Sequence, residues 1–248
     1  MTLIQSSLAF WQSSIGKKVV VALTGAFLVF FLLGHLSGNL LIYAGPAAFN
    51  DYAYFLHHMG HGAGIWAFRI IFLAAIVAHI VATVQLTRKN RGARPSYQVK
   101  KTSRTTRNAQ IMIWSGITIL VFFVYHILHF TVRVGNEYND PSIYGWDLEH
   151  KVPLSAEEAA ASDHSAHNAW LMVVHGFQWW PASAFYVVGM TLLCSHLSHG
   201  IASIFQTLGV RSRKSSDLIE KTSKFISIAL YLGFISIPIA ILFGFVSA

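Results

Sequence analysis

Cysteine is nearly missing from this chain of 248 residues: Cys194 stands alone. A single thiol rules out an internal disulfide framework and any cluster held by several thiolates. Its place inside an apolar run marks it as a small core residue. Charge is scarce too, with 11% Asp, Glu, Lys and Arg against 54% hydrophobic residues and a mean hydropathy of +0.51. That balance excludes an ordinary soluble domain and a disordered chain. Acidic residues are fewer than basic ones, 10 against 18, and none lies within the first four apolar runs. The pI near 9.7 does not indicate nucleic acid, because the basic residues fall in loops between apolar runs, where membrane orientation accounts for them. A cleaved signal is not expected, since the run after Lys17 and Lys18 exceeds the ~7–15 residues of a signal core. No convincing internal repeat is seen.

What the chain has is apolar length. Roughly 20 helical residues at ~1.5 Å rise cross a hydrocarbon core of ~30 Å, and five runs qualify, at about 19–43, 65–87, 111–132, 181–207 and 225–246. The expectation is an all-α, polytopic membrane protein: one domain over 1–248, a five-transmembrane-helix bundle. Amphipathic surface helices are expected at about 3–16, with Trp11 at an interface, and at 169–178. Ala44-Gly45-Pro46 ends the first span, and a loop carrying His57, His58 and His61 follows to Gly64. Trp179-Trp180-Pro181 suits a helix start at the interface.

Charge orients the spans. Lys17 and Lys18 with the two loops around 88–107 and 211–224 hold 15 of the 18 Lys and Arg, while Asp51 and the loop between the third and fourth spans hold 8 of the 10 acids. The positive-inside rule puts the N-terminus in the cytoplasm and the acidic loop outside. The expected location is a bacterial inner (cytoplasmic) membrane, with lipid as the surrounding solvent.

With orientation set, each intramembrane histidine acquires a depth. His35 in span I and His126 in span III both lie about 23–24 Å above the inner face. His79 in span II and His196 in span IV both lie about 21–23 Å below the outer face. An imidazole in hydrocarbon is a functional candidate by default, as metal ligand, proton carrier or helix–helix bond. Two pairs, each drawn from two helices, are what bis-histidine haem requires: imidazoles on opposite faces of a macrocycle held between helices. A zinc site would need three or four ligands at one depth. Gly34, Gly38, Gly189 and Gly200 would let a ring approach the backbones. His129 and His199, each one turn away, are alternative ligands. The remaining histidines fall in loops or at the surface.

The order WQSSIGKK, GHLSGN, VAHIV, VYHILHFTVR and SHLSHGIASIFQTLG, followed by a histidine-free span, resembles the single-chain dihaem cytochrome b anchor of succinate dehydrogenase and fumarate reductase. The resemblance covers essentially the whole chain. It implies haem iron ligated by His35 with His126 in the outer position and by His79 with His196 in the inner one. It also implies partners on the cytoplasmic side, a flavoprotein and an iron–sulfur subunit, with electrons passing from succinate through flavin, clusters and two b haems to quinone. Single-chain dihaem anchors go with menaquinone, so menaquinone is the implied acceptor. The basic loops are a plausible docking surface.

Arg69, ten residues before His79, is level with the outer haem and is a candidate for its propionates or for a quinone carbonyl, with snorkelling to the interface as the alternative. An outer quinone site would use His57, His58, His61 and Arg69. An inner one would use Trp11, Ser13, Ser14 and Lys17. Some dihaem relatives use a carboxylate at the outer site, and this chain has none inside its first four spans. The competing readings are the cytochrome b of another quinone-linked dehydrogenase and a histidine-relay transporter.

Overall fold

The computed structural model describes residues 9–92 and 107–248. The start of the expected 3–16 helix and most of the basic loop around Arg94, Lys100, Lys101 and Arg104 lie outside the described residues. Among the described residues five helices are long and apolar enough to span a membrane. They belong to α1 (Ser14–Asn39), α3 (Ala63–Gly92), α4 (Arg107–His126), α8 (Trp180–Thr207) and α9 (Ser216–Leu242). Large apolar side chains along them, such as Phe30, Ile70, Trp114 and Phe225, are exposed, as expected where the solvent is hydrocarbon.

Four of these helices run past their apolar cores: α3 continues to Gly92 and α4 starts at Arg107, and α1 and α9 extend at their N-terminal ends. α1 begins at Ser14 because Lys17, only 7% exposed, donates Nζ to the carbonyls of Trp11 (2.8 Å) and Gln12 (3.3 Å) and caps the turn before it. α9 begins nine residues before the apolar run at Phe225, on an Asp217 to Lys221 pair of 2.7 Å at i,i+4. The segment after Tyr43 is not the expected loop. A 3-10 turn, Leu40–Ala44, reaches Gly45 at φ 94°, and Pro46 then starts α2 (Pro46–His58). Proline loses no bond at a first helical position.

The chain divides into two compact units, each drawn from several separate stretches of sequence. The first comprises 9–32, 68–92, 107–112 and 195–227 of the described residues. Phe27 and Phe31 of α1 pack on Phe68 and Phe72 of α3, with centroids as close as 4.2 Å. Ala22, Ala82, Ser223 and Ser227 are buried. Both serine hydroxyls donate back into their own helix, to Ile219 O and Ser223 O. Small residues with satisfied hydroxyls let helices approach closely where apolar attraction between them is weak.

The second unit comprises 33–67, 113–194 and 228–248. α4 gives way to a π-helical turn, Ile127–Val132, and the acidic segment then folds rather than looping. It forms α5 (Pro141–Tyr144), β1 (Gly145–Asp147), β2 (Pro153–Leu154), α6 (Ala156–Ala161) and β3 (Ser165–His167), the strands making an antiparallel sheet ordered β2-β1-β3. α7 (Ala169–Gln178) has the expected bounds but is not a surface helix. Met172, Val173, Val174 and Phe177 are buried in the core of this unit with Ile42, Phe122 and Tyr186. A buried amide pair fixes it there: Asn50 Nδ2 donates to Asn168 Oδ1 at 3.0 Å, and Trp170 N donates to Asn50 Oδ1 at 2.9 Å.

Candidate functional site

In the second unit, His35 near the end of α1 and His126 at the end of α4 meet with ring centroids 5.8 Å apart and planes at 82°. Imidazole to metal bonds of about 2.0–2.1 Å place two ligand rings on one ion roughly 6 Å apart. The observed spacing fits that. Asn39, one turn beyond His35, donates Nδ2 to His35 O at 2.7 Å and stands 3.3 Å from its Nδ1. Phe234 of α9 flanks the His35 ring at 5.9 Å.

His126 and His129 differ in what their ring nitrogens meet. Tyr186 Oη lies 3.2 Å from His126 Nδ1 and 3.3 Å from His129 Nδ1. Tyr138 Oη lies 3.5 Å from His129 Nε2 as well. His129 sits within the π turn, a conformation that gathers at functional sites.

In the first unit, His79 of α3 is positioned by α1. Thr24 Oγ1 gives its one proton to Val20 O at 2.6 Å and lies 3.0 Å from His79 Nδ1. A hydroxyl whose proton is spent can only accept, so Nδ1 carries the hydrogen and Nε2 the lone pair. Gly25 lies beside the ring: a Cβ there would sit 3.4 Å from His79 Cε1, at ordinary contact distance. His196 of α8 lies near enough to His79 and to His199 for their charges to interact.

Room for a flat ring is uneven. A Cβ at Gly34 or Gly200 would meet nothing within 4 Å, so open space adjoins one helix of each histidine pair. Gly38 and Gly189 are different from expectation: a Cβ would strike the Tyr52 ring or the Phe122 ring at 2.4 Å. These two glycines receive aromatic side chains of the protein itself. Among the described residues no three His, Cys, Asp or Glu converge as a metal-binding group. The donor sets are imidazole pairs, suited to a metal whose equatorial positions a macrocycle fills.

The other expected site residues are placed less tellingly. Arg69 lies on α3 in the first unit. His57 and His58 end α2, and His58 stacks on Tyr54 at 3.8 Å while its Nδ1 lies 2.9 Å from Tyr54 O. His61 sits in the turn before α3 at φ 56°. Trp11 and Lys17 face each other, Nζ 5.7 Å from the ring centre. Ser13 Oγ bridges Phe10 O and Gly16 N, and Ser14 opens α1. The polar groups of Lys17 and Ser13 are thus spent on the helix start.

Three residues with no sequence-assigned role shape these sites: Thr24, Asn39 and Tyr186. Arg133 follows the π turn, its Nη1 donating to Asn139 Oδ1 at 3.1 Å while its Nε is buried without a hydrogen-bond partner. Nearby, His167 is depressed to about 4, first by burial and then by the charges of Arg133 and His57. Tyr138 is pushed up to about 12 by burial, with Tyr144 and Tyr125 adding to it.

The fold is therefore all-α in its long elements, with the length and polarity of a multi-pass membrane protein, and it brings the rings of His35 and His126 together. No family model matches the chain, and no curated protein or solved structure matches it.

Proposed function

We propose that the chain is a cytochrome b membrane anchor holding two b haems, one between His35 and His126 and one between His79 and His196. Bound haem supplies a one-electron carrier inside the bilayer. The chain's own residues supply the rest: imidazole nitrogens for the iron, Thr24 and Tyr186 to hold the rings, and small residues beside them to admit a macrocycle. The observation that supports this most directly is the His35–His126 pair, two imidazoles from different helices at 5.8 Å and 82°.

The proposed physiological role is electron delivery to quinone, menaquinone by resemblance, in a succinate dehydrogenase or fumarate reductase. Its soluble partners are a flavoprotein and an iron–sulfur subunit, and the membrane is the bacterial cytoplasmic membrane with the N-terminus on the inner side. This part rests on the motif order.

The test is a dithionite-reduced minus oxidised spectrum of the purified protein, with haem quantified per chain. About two b haems are expected, one lost in each of His35→Ala, His79→Ala, His126→Ala and His196→Ala. A flavin-bearing large subunit is expected to co-purify. Intact, well-folded protein without a haem band overturns the reading.

A further inference from the structure

Arg133 is the residue whose placement the ligand pairs leave unexplained. Its backbone is left-handed, φ 61° and ψ 47°, the conformation that ends the π turn, with its N–H donating to Leu128 O. One arm of the guanidinium, Nη1, is held by Asn139. The opposite edge is left over, with Nε buried and unpartnered. A charged donor buried in that state is unfavourable.

Among the described residues nothing supplies the acceptor that Nε lacks. The segment after Arg133 carries Glu137, Asp140, Asp147 and Glu149, yet among the described residues no carboxylate forms an ion pair with Arg133. His167, which feels the charges of Arg133 and His57, is basic. Arg133 also lies seven residues beyond His126, about 10 Å further along at ~1.5 Å per residue.

We propose that Arg133 anchors a ligand carboxylate, a propionate of the haem held by His35 and His126. With Nη1 on Asn139, the Nε and Nη2 hydrogens form the two-pronged edge that matches a carboxylate in parallel hydrogen bonds. This assignment rests on the haem reading above.

The test uses full-length protein prepared without haem and titrated with haem and with haem dimethyl ester, followed in the Soret band, for wild type, Arg133→Gln and Arg133→Lys. In wild type, esterification is expected to weaken one of the two sites roughly ten- to a hundredfold. Arg133→Gln is expected to weaken haem binding at that site to the same degree and to make it indifferent to esterification. Arg133→Lys, which keeps the charge but not the fork, falls between. Unaltered binding at the second site shows that each variant is folded. Haem uptake with the haem-to-ester gap unchanged in both variants overturns the assignment alone. A wild-type protein that takes up no haem overturns the assignment together with the reading beneath it.

Discussion

Thr24 accepts a hydrogen bond from His79: their Oγ1 and Nδ1 lie 3.0 Å apart, and the hydroxyl proton is already given to Val20 O. An acceptor on the second nitrogen fixes a ligand ring and makes it more basic. Thr24→Val is therefore expected to raise the midpoint potential of one haem by roughly 20–65 mV, the one-electron equivalent of a single hydrogen bond. The other haem keeps its potential, and Thr24→Ser stays near wild type. A spectroelectrochemical titration that finds both potentials unmoved in Thr24→Val contradicts the role.

His126 and His129 are expected to separate cleanly. His126→Ala loses one haem of the two, whereas His129→Ala keeps both, because its nitrogens belong to Tyr186 and Tyr138. Haem per chain in the two variants decides this, and the reverse result would move the ligand one turn along.

Asn50→Ala removes the two hydrogen bonds that seat α7 and leaves Trp170 N without its acceptor. The cost is on the order of 2 kcal/mol. A fall of several degrees in the thermal unfolding midpoint is expected. An unchanged midpoint would show that α7 is held by its apolar face alone.

The sheet segment is expected to be most protected from hydrogen exchange near pH 6.5. Asp147 is held down to about 2, mainly by the backbone N–H and ring of His150, so its contribution is present above about 4 and is lost as pH falls through about 2. His150 is raised by the same partner, so its contribution is full below about 6.5 and is lost as pH climbs through its folded value. His167, depressed to about 4 by burial, works in the opposite sense: its contribution is full above about 6.5 and shrinks as pH falls to about 4. Asp147→Asn should abolish the alkaline loss and the loss at the acid extreme, and His167→Gln the decline between. Exchange that stays flat with pH in wild type would contradict all three.

The five spans are legible in the sequence because a run of apolar residues is local information, and His35 and His126, placed at one depth by their positions along the runs, do lie together. The charged turns of α1 and α9 escape it because an apolar threshold stops at Lys18 and Phe225, while Lys17 and Asp217 carry the helix further. α7 is readable in extent but not in place, since an apolar face does not say whether lipid or Phe130 and Tyr186 will cover it. Thr24, Tyr186 and Arg133 are invisible for a related reason. Which hydroxyl meets an imidazole depends on the relative rotation of two helices, which one sequence does not record. Gly38 and Gly189 do announce close approach, but not that the visitors are Tyr52 and Phe122.

The π turn at Ile127–Val132 carries a consequence for descent. Such a turn holds one residue more than the α-helix it interrupts, so removing a single residue there would close the bulge and leave the turns on either side in place, whereas the same loss in an uninterrupted helix swings everything beyond it by about 100°. His126 and Arg133 would both keep their positions. Loss of one residue should therefore be borne better in these six positions than within the α-helical spans.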